Sequence, residues 1–335
     1  MNTNKVSILI PFKNTEVFLP ECIESIIKQT YPHWEILAID DHSWDNSAQI
    51  MLDYAQIEPR IRVYKNKGEG IIEALRTAYA MATGSFITRM DSDDIMALNR
   101  LEIMTQSLQK RGEGHIALGK VNYFSDSGLG KGYKSYESWL NGLTEKGANY
   151  SEIYKECVIP SPCWMVHRSD LDLVESFVPN RYPEDYDLAF RFYQHNIKCI
   201  PTTAILHFWR DYDHRTSRTH EHYAENNFLD LKLSYFLQLD HDALRPLVVW
   251  GAGKKGKKIA NNLIDKNVDF LWVCDNLNKI DRDIYGKTMQ HYKIVASLKN
   301  PQFILTVANK EAQKFIGKYL TELKKSPSKD YFFFC

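Results

Sequence analysis

The sequence lacks the features that mark several specialised classes of protein. Its 335 residues include 42 basic and 42 acidic side chains, so the formal net charge is zero. Nucleic-acid-binding domains normally show a basic excess, and we therefore expect no nucleic-acid partner. The six cysteines form no C-x-x-C pair. This absence argues against zinc-ribbon and thioredoxin motifs, and the scattered cysteines suit free thiols in a reducing compartment.

Long hydrophobic runs are also missing. No segment approaches the roughly 18 uninterrupted apolar residues of a transmembrane helix. The run VSILI at residues 6–10 is followed by Pro11 and is too short for a signal peptide. We therefore expect a cytoplasmic protein, with peripheral membrane contact and self-association left open. The length allows two domains of ordinary size.

Apolar patterns in the first hundred residues predict alternating strands and helices. The segments KVSILIPF, WEILAID, RIRVYKN and FITRM are typical of strands, and apolar side chains recur at helical spacing in 18–27 and 70–82. Gly84 follows the second helix where a C′ residue is expected. The order of these elements predicts an α/β fold with a mostly parallel sheet.

A glycine motif begins a second α/β pattern. The segment VVWGAGKKG carries G-x-G-x-x-G at Gly251, Gly253 and Gly256, and the next predicted strand ends at Asp275. Because the motif lies between a strand and a helix, it predicts a smaller Rossmann-like domain with an anionic ligand. A structural domain with an empty turn is an equal alternative.

Acidic residues cluster directly after the strand FITRM. Asp91, Asp93 and Asp94 lie in the motif DSDD at the carboxyl end of this strand, where open α/β sheets bind ligands. Their mutual repulsion predicts a hard divalent cation, Mn²⁺ or Mg²⁺, among them. The alternative is an N-cap cluster for a helix that carries Leu98 and Leu101.

Taken in order, the motifs of the first two-thirds resemble the bacterial family 2 glycosyltransferases with the GT-A fold. The resemblance covers about residues 5–222 and runs through VSILIPFKN, ECIESIIKQTYPHWEILAIDDHSWDNS, ALRTAYAMATGSFITRMDSDD, PEDYDLAFRF and FWRDYDHRTSRTH. The remainder is similar to the small Rossmann-like unit appended to some of these transferases. We therefore expect a GT-A domain at 1–222, a linking helix at 223–241 and a Rossmann-like domain at 242–335.

The resemblance implies an enzyme. It would be a metal-dependent, inverting hexosyl- or N-acetylhexosaminyl-transferase with a nucleotide-diphosphate sugar, by resemblance a UDP-sugar, as donor. The acceptor would be a hydroxyl of a glycan, a lipid-linked molecule or a protein in surface glycan or polysaccharide synthesis. Two alternatives rest on the C-terminal domain: an NAD(P)-dependent oxidoreductase and a sugar-nucleotide-binding protein without catalysis.

The resemblance also implies roles for single residues. Asp185 in the segment PEDYD would be the general base, and Glu184 would orient it. The donor would be bound by Pro11, Asp40, Asp41, Arg76, Asp91, Asp93 and Arg210, and the metal ion by Asp91, Asp93 and His214. The acceptor would contact Trp164 and Glu184. A ligand of the second domain would lie at Gly251, Gly253, Gly256 and Asp275.

Each of these roles has a structural alternative. Asp41 would instead cap a helix, Asp185 would favour a helix N-terminus, Trp164 would pack in the core and Arg76 would be a solvated helix charge.

Overall fold

The structure is a computed structural model that describes residues 4–125, 128–213, 215 and 228–335. The described residues fall into two compact units. One is drawn from Met1–Asn149 and Val158–Thr216, and the other from Tyr150–Cys157 and Ser217–Cys335.

The first unit is built on ten described strands. They are β1 Val6–Phe12, β2 Trp34–Asp40, β3 Ile61–Lys65, β4 Phe86–Arg89, β5 Ile95–Met96, β6 His115–Leu118, β7 Lys120–Phe124, β8 Trp164–His167, β9 Lys198–Ile200 and β10 Ile205–Arg210. Seven form one sheet in the order β3-β2-β1-β4-β8-β6-β9, in which β8 is antiparallel to its neighbours β4 and β6. The other pairs are parallel, so this is the mixed, mostly parallel α/β sheet predicted from the sequence.

The three remaining strands form a small sheet, β5-β10-β7. The described helices of the unit are α1 Leu19–Ile27, α2 Ser47–Ile57, α3 Ile71–Met81, α4 Arg100–Arg111, α5 Lys131–Lys146, α6 Arg168–Leu173 and α7 Glu184–Gln194. The strands β1 and β2 are buried along their whole length, as their largely apolar sequence predicts.

Two local details differ from the expectation. The order of elements predicted from the sequence omitted helix α2, because Ser47 and Met51 alone are buried in it, which leaves a weak apolar periodicity. Gly84 is not the C′ residue of α3, whose C-cap is Ala82. A Cβ atom at Gly84 would lie 2.5 Å from the carbonyl oxygen of Lys5, so the glycine permits a close approach of two backbones.

The second unit contains a parallel five-stranded sheet. Its described elements are α8 Leu229–Leu239, β11 Leu247–Trp250, α9 Lys254–Asp265, β12 Leu271–Cys274, β13 Asp283–Ile284, β14 Lys287–Thr288, β15 Gln290–His291, β16 Gln302–Leu305, α10 Lys310–Glu322 and β17 Tyr331–Phe333. The strand order is β15-β12-β11-β16-β17, while β13 and β14 form a separate hairpin.

The segment Tyr150–Cys157 joins this second unit through an aromatic cluster. The ring of Tyr154 stacks on Phe334 at 5.3 Å and meets Phe236 and Phe332 edge to face. Its hydroxyl donates to Asp240 at 2.5 Å. The helix expected at 223–241 is described from residue 229 as α8 and is also part of this unit. The division into domains that fold separately stays a prediction.

Glu35 gives the first unit a pH-dependent contribution to stability. Burial alone would raise its pKa, but hydrogen bonds from Lys5, Ser7 and Thr83 lower it to about 2. Its ionised form therefore stabilises the fold fully above the ordinary pKa near 4.5, and this contribution is lost as the pH falls towards 2.

We expect Glu35→Gln to lower the free energy of unfolding by about 3 kcal/mol at pH 7 and by much less near pH 2.5. Urea unfolding at both pH values measures the difference. Glu145→Gln, at a carboxylate whose side chain is 51% exposed, is the control. A loss of stability that is equal at both pH values would contradict the assigned pKa.

Candidate active site

The site lies at one edge of the large sheet. The strands β1, β2 and β4 are parallel neighbours, so their carboxyl ends meet there. Asp40 and Asp41 come from the end of β2, and the DSDD segment follows β4. The DSDD segment is not the N-cap cluster of the next helix, because α4 begins at Arg100 after the N-cap residue Asn99.

Asp94 anchors the DSDD segment in the protein interior. Its side chain is completely buried; one oxygen pairs with Nε2 of His207 at 2.9 Å and the other accepts the backbone N–H of Arg210 at 2.8 Å. Arg100, also fully buried, contacts Nδ1 of His207 at 3.2 Å. A guanidinium only donates, so Nδ1 is the acceptor and Nε2 carries the proton that is donated to Asp94. Burial lowers the pKa of His207, which agrees with a neutral ring.

Asp93 faces a set of polar and cationic groups. The hydroxyl of Tyr212 donates to its carboxylate at 2.9 Å, and Nε of Arg210 donates to its backbone carbonyl at 2.8 Å. Burial and the neighbouring charge of Asp94 raise the pKa of Asp93 to about 7, while the guanidinium of Arg215 opposes this rise. Burial is the first cause of this rise, and it also raises the pKa of the neighbouring Asp94.

Arg210 is braced beside this carboxylate. Its guanidinium pairs with Glu21 and lies over the rings of Phe18 and Phe124, at 4.8 and 4.5 Å from their centroids. The guanidinium of Arg210 therefore lies next to the backbone of Asp93. Its role in donor binding stays a prediction.

Arg89 connects the DSDD segment to the start of α7. Its side chain is 9% exposed and pairs with Asp91 at 3.0 Å and with Glu184 at 2.8 Å. The negative charges of Asp91, Glu184 and Asp185 raise the pKa of Arg89 against the opposing effect of burial, so it remains a cation. Two segments that are far apart in sequence thus meet at one buried guanidinium.

Asp185, the predicted general base, lies next to this bridge. Burial and then the charge of Glu184 raise its pKa to about 7, and Arg89 acts in the opposite direction. A carboxylate with a pKa near the working pH is well suited to take up a proton. The structure therefore brings Asp185, Glu184 and Asp91 together around Arg89.

Asp41 makes local hydrogen bonds at the end of β2. Its carboxylate accepts from Asn66 at 2.7 Å and from the backbone N–H of Gly70, before α3, at 3.0 and 3.1 Å. Asp40 accepts the backbone N–H of Ser43 at 2.9 Å. The alternative from the sequence, in which Asp41 caps the helix through Gln49, is wrong, because α2 has Asn46 as its N-cap and no side-chain cap bond, while Asp41 binds the turn before α3. The two oxygens of a carboxylate accept about four bonds in total, so base recognition remains open to it.

The other predicted residues occupy different surroundings. Trp164 is 2% exposed and meets Phe192 edge to face, a position that favours the packing role over acceptor contact. Arg76 donates to the carbonyls of Phe177 and Val178, so its guanidinium is engaged away from the DSDD segment. Pro11 is buried near the end of β1, and His214 lies outside the described residues.

The chemistry of Asp91 and Asp93 fits a hard divalent cation. Mg²⁺ and Mn²⁺ sites use one or two carboxylates and complete their shell with water and phosphate oxygens. The carboxylate of Asp93 has a neutral hydrogen-bond donor in Tyr212, and its oxygens are of the type that such an ion prefers. Within the part of the chain that the structure describes, no group of three or more His, Cys, Asp or Glu side chains has metal-binding geometry.

Several important residues were not recognised from the sequence. Arg89 precedes the acidic motif directly, but nothing in its local pattern identifies its partner Glu184. Arg100 looks like an ordinary polar residue of a helix, and nothing in the sequence around His207 identifies Asp94 and Arg100 as its partners. Their roles depend on burial and on contacts across more than a hundred positions, as between Arg100 and His207.

The arrangement of the first unit's strands and helices agrees with a known class of fold. The crystal structure of S. aureus TarS 1-349 in complex with UDP-GlcNAc is similar to this chain, with a TM-score of 0.55 at 19% sequence identity. The likeness covers 71% of this chain and 68% of that one. The fold is therefore the GT-A fold, as predicted.

The family follows from a second comparison. The family model described as Glycosyl transferase family 2 matches residues 7–174, which is half of the chain. The protein belongs to this family, as its motifs predicted. The family model ends at residue 174, before the segment Ser217–Cys335 of the second unit, so the relation of that unit to appended Rossmann-like domains stays a prediction.

Two curated relatives each match about a third of the chain. Glycosyltransferase GlyG of Streptococcus pneumoniae is 37% identical over 124 residues, which are 36% of this chain and 40% of GlyG. The Escherichia coli UDP-Glc:alpha-D-GlcNAc-diphosphoundecaprenol beta-1,3-glucosyltransferase WfgD is 38% identical over 111 residues, 33% of this chain and 43% of WfgD. The chain thus spans less than half the length of these two relatives.

No described helix has both the length and the apolar character needed to cross a membrane.

We expect different consequences from removing the charge of Asp94 and that of Asp93. In Asp94→Asn, the amide cannot accept from both His207 and Arg210, so one buried donor loses its partner and stability falls by about 1–3 kcal/mol. In Asp93→Asn, the partly exposed side chain keeps an acceptor for Tyr212, and we expect a smaller loss. Thermal unfolding of the two variants measures this. Equal destabilisation would contradict the anchoring role of Asp94.

Proposed function

We propose that this protein is a metal-dependent, inverting glycosyltransferase that transfers a sugar from a UDP-sugar donor to a hydroxyl group of a surface glycan or of its lipid-linked precursor. The observation that carries the proposal is the bridge through Arg89, which holds the acidic loop after β4 beside the predicted base Asp185. The raised pKa of Asp185, which lies next to this bridge, supports its role as the base.

In the proposed reaction, Asp185 takes the proton from the acceptor hydroxyl. The hydroxyl oxygen forms a bond to the anomeric carbon of the donor as the bond between that carbon and the diphosphate oxygen breaks. Attack from the face opposite the leaving diphosphate inverts the anomeric configuration. Glu184, held by Arg89 at 2.8 Å, keeps the start of α7 in position and adds negative charge that favours proton uptake by Asp185.

On the donor side, each proposed role follows from position and charge. Asp41 would accept the N3–H of uracil at the end of β2, with Asp40 shaping its turn. Arg210 would contact the diphosphate, because a guanidinium binds phosphate in a bidentate manner. Asp93, helped by Asp91, would hold Mn²⁺ or Mg²⁺, and this ion would neutralise charge on the leaving diphosphate when bound.

The choice of UDP rests on one relative and on the acidic end of β2. WfgD is named as an enzyme that uses UDP-Glc and a lipid-diphosphate acceptor. The match to WfgD covers 33% of this chain, so the sugar and the acceptor of this protein need their own test. A panel of UDP- and GDP-sugars, tested for hydrolysis with Mn²⁺, distinguishes the donors.

We expect Asp185→Asn to reduce transfer by about 10²–10⁴-fold while UDP affinity stays within about twofold of the wild type. Asparagine has almost the same shape but cannot accept the proton. In the wild type, the rate should rise as the pH increases through about 7, because the base must be ionised. Steady-state rates across pH and UDP calorimetry measure both effects.

Two results would count against the assignment. Near-normal transfer by the asparagine variant would mean that a different group takes the proton. A parallel loss of UDP affinity would place Asp185 in the donor site instead.

A further inference from the structure

The second unit contains a cavity that the transferase reaction does not use. It measures about 390 Å³ and is lined by residues that follow β11, β12 and β16. The strand β11 lies between β12 and β16, so the chain winds in opposite directions from it. In open parallel sheets, ligands bind outside the carboxyl ends of the strands at this switch point. The volume is within the range of small-molecule sites.

Two of the three motif glycines are required by the fold itself. Gly251 has a φ of +133°, and a Cβ atom there would lie 2.4 Å from Oγ1 of Thr306. At Gly256, a Cβ atom would lie 2.1 Å from the carbonyl oxygen of Gly251. These two positions bring the strand, the turn and α9 into close contact.

Gly253 has no such structural reason. Its φ of −83° is accessible to any residue, and a Cβ atom would meet no atom within 4 Å. The residue lines the cavity, and as the N-cap of α9 it offers no side-chain hydrogen bond to the first turn. The missing side chain therefore leaves open space inside the cavity, above backbone N–H groups that a ligand can reach.

Charged side chains are divided between the sides of this cavity. Lys254 and Lys255 line it at the start of α9, and Nζ of Lys279 donates to the carbonyl of Ala252 in the glycine turn at 2.7 Å. These cations and the helix N-terminus suit phosphate groups. Asp275 lines the cavity after β12, where a carboxylate binds ribose hydroxyls in nucleotide sites of this topology.

We propose that this cavity binds a ribose-diphosphate ligand, with the diphosphate over Gly253 near the lysines and a ribose hydroxyl at Asp275. The site is distinct from the donor site of the first unit. Its ligand chemistry is shared by dinucleotides such as NADH and by nucleotide sugars. The proposal concerns binding alone and includes no hydride transfer.

The test titrates the full chain with NADH, ADP-ribose and UDP by calorimetry. The background variant Asp41→Ala/Asp93→Asn removes contacts proposed for UDP in the first unit, so remaining affinity reports on the second. Gly253→Val fills the open space and should abolish binding. Lys255→Ala should weaken it by about tenfold or more, since a hydrogen bond to a charged group is lost. Lys257→Ala, on the same helix but outside the cavity lining, is the control and should leave affinity within about twofold.

The outcomes separate the possible sources of the ligand. Binding of NADH and ADP-ribose indicates a dinucleotide, and binding of UDP alone indicates a nucleotide sugar; both support the site. Absence of saturable binding by all three probes at millimolar concentration would overturn it, and so would binding that Lys255→Ala leaves unchanged. If Gly253→Val fails to fold, the Lys255→Ala and Lys257→Ala pair decides. Sugar transfer is not measured, so failure here leaves the proposed function untouched.

Discussion

The arrangement of the active site depends on one buried guanidinium. Arg89 ends β4, and it pairs simultaneously with Asp91 in the acidic loop and with Glu184 at the start of α7. Burying a cation is costly unless its charge is matched. Arg89 therefore favours a structure in which both carboxylates, Asp91 and Glu184, stay beside it. The loop proposed to bind the donor and the helix proposed to carry the base are thereby kept at one position. Asp185 and the DSDD segment are far apart in the sequence, and the contacts of Arg89 connect the two regions.

A second buried network gives the three aspartates of the loop different tasks. Asp94 is occupied by His207 and by the backbone of Arg210, while Arg100 sets the tautomer of the histidine. One carboxylate oxygen of Asp91 accepts from Arg89. Asp93 has the neutral hydroxyl of Tyr212 as its side-chain hydrogen-bond partner, and the guanidinium of Arg215 acts on its charge. The anchoring of Asp94 keeps that charge at a fixed place, which is what a cation and a diphosphate require.

Much of the fold could be predicted from the sequence because the signals were local. The continuous apolar strands, the helix from Leu19 and the glycine motif at Gly251 each report their own structure. The acidic ends of β2 and β4 could be placed at one edge because parallel strands share a direction. Arg89, Arg100 and His207 could not be assigned, since their roles come from pairing between distant positions. The surroundings of Trp164 and Arg76 also come from distant parts of the chain. Trp164 is buried, and Arg76 donates to the carbonyl of Phe177.

The central claim is that Asp93 needs a divalent cation to hold a diphosphate. Calorimetry of UDP binding to the full chain with Mn²⁺ and with EDTA tests it most directly. Because like charges repel, the account predicts that UDP affinity falls by at least about tenfold in EDTA and that Asp93→Asn removes most of this difference. Equal UDP affinity in Mn²⁺ and in EDTA, with the wild-type chain folded in both, would contradict it.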